Sequence, residues 1–196
     1  VTREVVSPDR TYSIILPGTW AVIPLQDEAA MTKRIVAMVK KQVGGGDRAA
    51  RMRRQTRDEF VKTAQQARDA GATSFALSLE LMPGVPFPAA LLSTVESWPV
   101  LASAELSVAD RLRAAVPGAV LLEHQSGPVA RQAESAQQRV GQEKVPSLRV
   151  VYWVPRPHND DLLRVTISAP MVDSPELFTE LFDAIVDSIA WKADSL

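Results

Sequence analysis

The chain has 196 residues, 46% of them hydrophobic and 23% charged, with a formal net charge of −1; this is ordinary globular usage and sets aside disordered, fibrous and membrane classes. It contains no Cys, which removes disulfides, thiolate nucleophiles and Cys-based zinc or iron–sulfur sites. No window reaches the roughly 18 apolar residues of a membrane span and the opening residues lack a signal-peptide pattern, so a cytoplasmic location is expected, with an exported form that has lost its signal as the alternative.

Tyr12 to Leu25 reads as strand, Pro-Gly turn, strand, with Tyr12, Ile14 and Leu16 on one face. Asp27 to Val43 and Asp47 to Ala70 read as helices joined at Gly44-Gly-Gly46. The first places Met31, Ile35, Met38, Val39 and Val43 on one stripe, and the second places Met52, Phe60, Ala64 and Ala67. After Gly71 the period becomes two, with Phe75, Leu77, Leu79 and Leu81 facing one way, the pattern of a strand packed on one face only. Met82 to Pro88 reads as an apolar loop and Ala89 to Trp98 as a further strand. Ser107 with Asp110 opens a short helix that Pro117-Gly118 ends. A hairpin is expected across Gly127-Pro128 and another between Leu148–Val154 and Leu163–Ser168. The last helix starts with Ser174 as N-cap and Pro175 at its first position, and its apolar stripe is Leu177, Phe178, Leu181, Phe182, Ile185 and Ile189.

Short turns between strands make an antiparallel sheet, and the amphipathic helices supply its cover. The expected fold class is α+β: one domain over residues 1–196, with an antiparallel sheet sandwiched by helices, an α/β/α arrangement, and the C-terminal helix packed on the sheet.

Tyr12-x-Ile14-x-Leu16-Pro17-Gly18-x-Trp20 at the start, and Leu163 to Ser168 leading into a helix with Phe182, Ile185 and Ile189 at the end, resemble PsbP-like domains. The resemblance implies the same sandwich, a fold shared by photosystem extrinsic subunits, a Ran-binding import factor, bacterial lipoproteins and secretion chaperones. Those relatives mostly bind other proteins, and no catalytic residue set comes with them.

The residue patterns themselves single out no catalytic centre, metal site or cofactor. Gly-x-Ser-x-Gly is absent, Gly44-Gly-Gly46 lacks the Lys-Ser/Thr of a phosphate loop, and His158 beside Asp160 and Asp161 reads as a polar turn. Charge placement says more. Residues 31–68 hold eleven basic side chains, half of the 22 Lys and Arg, against three acidic ones, so the rest of the chain is strongly negative. The basic helical segment, residues 27–70, with Lys33, Arg34, Lys40, Lys41, Arg48, Arg51, Arg53, Arg54 and Arg57, is therefore the expected contact surface for a protein partner with an acidic surface. Nucleic acid fits less well, because no groove-reading motif or aromatic platform accompanies the charges. The expected function is a non-catalytic protein-binding or adaptor-like module. A small-molecule or lipid site at Met82, Val85 and Phe87 is the alternative, and a hydrolase using carboxylates with His124 comes third.

Overall fold

The computed structural model describes residues 2–8, 11–17, 20–43, 50–82, 85–140, 143–157 and 160–192. Along the chain come β1 (Thr2–Val6), β2 (Tyr12–Pro17), β3 (Ala21–Val22), α1 (Glu28–Val43), α2 (Ala50–Asp69), β4 (Ser74–Met82) and β5 (Val85–Ser97). There follow α3 (Val108–Ala115), β6 (Val120–His124), β7 (Gly127–Val140), β8 (Glu143–Pro155), β9 (Asp161–Pro170), α4 (Pro175–Asp187) and β10 (Ala190–Trp191). Seven strands pair antiparallel in the order β3-β4-β5-β9-β8-β7-β6, and β1-β2-β10 make a small second sheet.

Side-chain alternation decides what covers each face of the large sheet. Leu163, Val165, Ile167 and Ala169 of β9 stand across from Val154, Tyr152, Val150 and Leu148 of β8. This face receives Tyr12, Ile14 and Leu16 of β2 and Phe182, Ile185 and Val186 of α4 in one core. The opposite face of β4 and β5, with Phe75, Leu77, Ala90 and Leu92, meets Met31, Ile35, Met38 and Val39 of α1 and Ala64 and Ala67 of α2. Farther along that face Leu112 of α3 packs on Ala130 and Leu162, with Trp153 alongside. The fold is α+β with helices packed on both faces of an antiparallel sheet, and α4 shares its side with the small sheet.

Several boundaries and faces differ from the sequence reading. The residues around Tyr12 to Leu25 do not form a hairpin: β2 pairs with β1 and β10, while β3 pairs with β4 in the other sheet. The chain crosses between layers after Pro17, so both strands bury apolar faces without pairing to each other. β4 is covered on both faces, because Ala76 and Ser78 are buried as fully as Phe75 and Leu77. Met82 to Pro88 is not a loop: Met82 pairs with Val85 and Glu80 with Pro86 through irregular register. Proline is tolerated there because the ladder is already interrupted. In α2 only the C-terminal half is buried, since Met52 is 62% exposed whereas Ala64 and Ala67 are covered. In α4 Leu177 is 64% exposed and Val186 takes the buried place instead. Gly18, the Gly44-Gly-Gly46 joint, Asp47 and Arg48, and His158 lie outside the described residues.

Candidate functional site

α1 and α2 run antiparallel, with Arg68 near the end of α2 lying 3.6 Å from Glu28 at the start of α1. Asp27 begins α1 by accepting the backbone N–H groups of Ala29 and Ala30 at 2.9 and 3.1 Å, which satisfies two donors that a helix start leaves free. The buried stripe of α1 and the alanines of α2 hold the pair on β4 and β5. The N-terminal half of α2 has no such anchor.

Where that half stands beside the second half of α1, a cleft of about 340 Å³ opens, lined by Val36, Val39, Lys40, Ala50, Arg53, Arg54 and Arg57. Val39 is buried and Val36 is 42% exposed. The floor is apolar and the rim cationic. Arg57 is paired with Asp58 of its own helix at 2.7 Å, and the Arg34 Nε donates to the Val22 carbonyl at 3.3 Å, tying α1 to β3. Lys33, Lys40, Lys41, Arg51, Arg54 and Lys62 make no ion pair among the described residues. The carboxylates of α4 do not neutralise this surface, because α4 lies across the sheet from it. There Asp183 pairs with Arg131 and accepts a 2.7 Å hydrogen bond from the Tyr152 hydroxyl. Burial, with the Asp183 carboxylate second, holds the Tyr152 pKa above its ordinary value.

Thus the structure brings together Lys40, Arg53, Arg54 and Arg57 from the sequence-derived set, places Lys33, Arg34, Lys41 and Arg51 elsewhere on the same helix pair, and leaves Arg48 outside the described residues. Val36 was not foreseen. Its signal was an apolar residue lying off the buried stripe of a cationic helix.

The alternative sites fare differently. Phe87 is only 4% exposed and stacks on Phe178 of α4 at 4.8 Å, with Phe182 at 6.3 Å, so it is core. Val85 is exposed, and the Met82 side chain lies outside the described set. The His124 Nδ1 is buried 3.7 Å from Asp187, whose carboxylate accepts the Gln125 N–H at 3.1 Å. This arrangement anchors the β6 end to α4, and no Ser or Thr hydroxyl stands in hydrogen-bond contact with His124 among the described residues. No group of three His, Asp or Glu that could hold a metal occurs among them, and no described helix is long and apolar enough to cross a membrane.

A second depression, of about 540 Å³, lies on the sheet over β7, β8 and β9 beside the start of β6. Gln132, Glu134, Arg149, Val151, Trp153 and Arg164 are among its lining residues.

No family model matches this chain, and no curated protein does. Among the solved structures similar to this chain is that of LpqN, involved in cell envelope biogenesis of Mycobacterium tuberculosis, and the likeness covers 98% of this chain and 91% of that one at 8% identity and a TM-score of 0.43. That likeness is too loose to carry a function across. The PsbP-like resemblance of the two ends therefore stands on those residues alone.

Proposed function

We propose that the protein is a non-catalytic binding module that docks an acidic protein surface on the α1–α2 pair. One observation carries the reading: the cleft between the helices combines an apolar floor, Val36 and Val39, with the cationic rim of Lys40, Arg53, Arg54 and Arg57. Complementary fields raise association rates and select partners more than they add raw affinity, while the apolar floor supplies a contact that salt does not screen. A solvated helix face needs no such floor. The PsbP-like resemblance agrees with a binding role, and the core position of Phe87 removes the main apolar residue of the lipid-site alternative.

The test is triple charge reversal, Lys40→Glu with Arg51→Glu and Arg54→Glu, at positions that make no ion pair among the described residues. Exposed charges contribute little to stability, so the variant should melt within a few degrees of the parent. Affinity capture from the source organism, with partners identified by mass spectrometry and remeasured by calorimetry, should show a partner lost on reversal and weakened by salt. A partner bound equally by parent and variant, or one indifferent to salt, overturns the assignment.

A further inference from the structure

β7 is 14 residues long, but its outer neighbour β6 has five and pairs only with Gly127 to Arg131. On its inner side β7 keeps unbroken register with β8 as far as Val140 opposite Glu143. From Gln132 to Val140 its outer edge therefore has no strand beside it among the described residues, and the side chains of 132–137 are all exposed. Alternate residues of such an edge turn their N–H and C=O outward, where they template another strand. Edges are commonly blunted by shortness, charge, proline or bulges. Elsewhere the protein uses two of these devices: β3 has two residues, and β1 carries Arg3 and Glu4. The run from Gln132 to Val140 has no Pro, no Lys and only two charges, Glu134 and Arg139.

We propose that this edge is a self-association surface, with a second copy of the chain pairing its β7 antiparallel about a two-fold axis at Ala136 and joining two seven-stranded sheets into one. Two constraints set the axis. Outward-facing peptide groups recur at every second residue, so a two-fold between identical antiparallel strands passes through a residue and never between two. β6 occupies the edge up to Arg131 and β7 ends at Val140, so the register that opposes Gln132 to Val140 uses the whole stretch without a strand beside it, the Gln132 side-chain amide donating to the Pro117 carbonyl at its near end. Its midpoint is Ala136. In that register Glu134 stands opposite Gln138 and Arg139 opposite Ala133, so neither charge meets its own copy. The small residues Ala133, Ser135 and Ala136 let the backbones approach. A seam this short buries less than the roughly 1,600 Å² of a standard interface, so association is weak and depends on concentration.

Because the chain has no Cys, Ala136→Cys introduces a single thiol. Its two copies face each other with Cα atoms about 4.5–5.5 Å apart, within disulfide reach. Ala133→Cys instead places its two copies six residues apart along the seam, about 20 Å. With diamide as oxidant, accepting the two electrons and two protons that two thiols release, A136C should form covalent dimer many-fold faster than A133C. Sedimentation of the parent should show a dimer growing with concentration, which Ala136→Lys weakens several-fold by opposing like charges and Ala136→Gln does not. Circular dichroism melts establish that each variant is folded. A parent that stays monomeric from micromolar to millimolar concentration, as it would if the edge awaits a strand of another protein, overturns the proposal. So does cross-linking of A133C as fast as A136C.

Discussion

Phe182→Ala compared with Leu177→Ala tests the packing of α4 on the sheet. Both residues belong to one apolar stripe in the sequence, yet Phe182 is 0% exposed and Leu177 is 64% exposed. Phe182 sits in the core that contains Val150, Tyr152, Val165 and Ile167, with the Phe87 ring 6.3 Å away. Removing a buried phenyl group forfeits its transfer free energy and leaves a cavity that the surrounding β-branched side chains fill poorly, about 3–5 kcal/mol in all. Leu177→Ala exposes nothing new and should stay within about 0.5 kcal/mol. For a domain of this length each kcal/mol moves the melting temperature by about 2–4 °C, so F182A should melt on the order of 10 °C below the parent and L177A beside it. Urea unfolding with unchanged m-values would show that native stability moved and not the compactness of the unfolded state. If F182A melted within about 2 °C of the parent, or L177A fell as far as F182A, α4 would not lie on the sheet as described.

Tyr152→Phe removes the hydroxyl that donates to Asp183 at 2.7 Å, and losing a hydrogen bond to a charged group should cost about 1.5–3 kcal/mol at neutral pH. Because the folded-state pKa of Tyr152 lies above its ordinary 10.0, its contribution is whole below about pH 10 and shrinks as the unfolded chain ionises above it. The parent should therefore lose melting temperature more steeply than Y152F above that pH, and parallel alkaline curves would refute this. Ser107→Ala deletes the hydroxyl that accepts the Asp110 N–H at 3.2 Å, an N-cap worth about 1 kcal/mol in urea unfolding. The same change should raise the Asp110 pKa, now held below 3.8 by the Ser107 hydroxyl and then by Arg113, as followed by NMR titration. An unmoved carboxyl would show that the Ser107 hydroxyl does not donate to the Asp110 carboxylate.

The local chemistry of the sequence was enough to place most elements. The period of two through β8 and β9 survives as alternating burial, and the Ser107 cap forms as its spacing implies. Pro175 opens α4 at the position where a missing N–H costs nothing, although the Ser174 side chain makes no cap hydrogen bond. The cationic character of α1 and α2 was also legible, because charge is a property of composition and needs no fold.

What the tertiary structure decided were relations between segments distant in the chain. Tyr12 and Trp20 read as partners in a hairpin, but β2 and β3 enter different sheets, and β2 instead helps cover the face of the large sheet that α4 also packs on. Ser78 lies on the polar side of β4 in sequence, yet it is buried because β4 is covered on both faces. Leu177 and Met52 look like core residues by helical spacing, but Met52 lies on the half of α2 that the sheet does not cover, and Leu177 lies on the flank of α4 while its neighbour Phe178 stacks on Phe87. The free edge of β7 arises from the mismatched lengths of neighbouring strands, and the cleft beside Val36 from the first half of α2, which buries no side chain on the sheet. Periodicity reports which way a side chain points within its own element, whereas burial and accessibility depend on whether another element reaches that far.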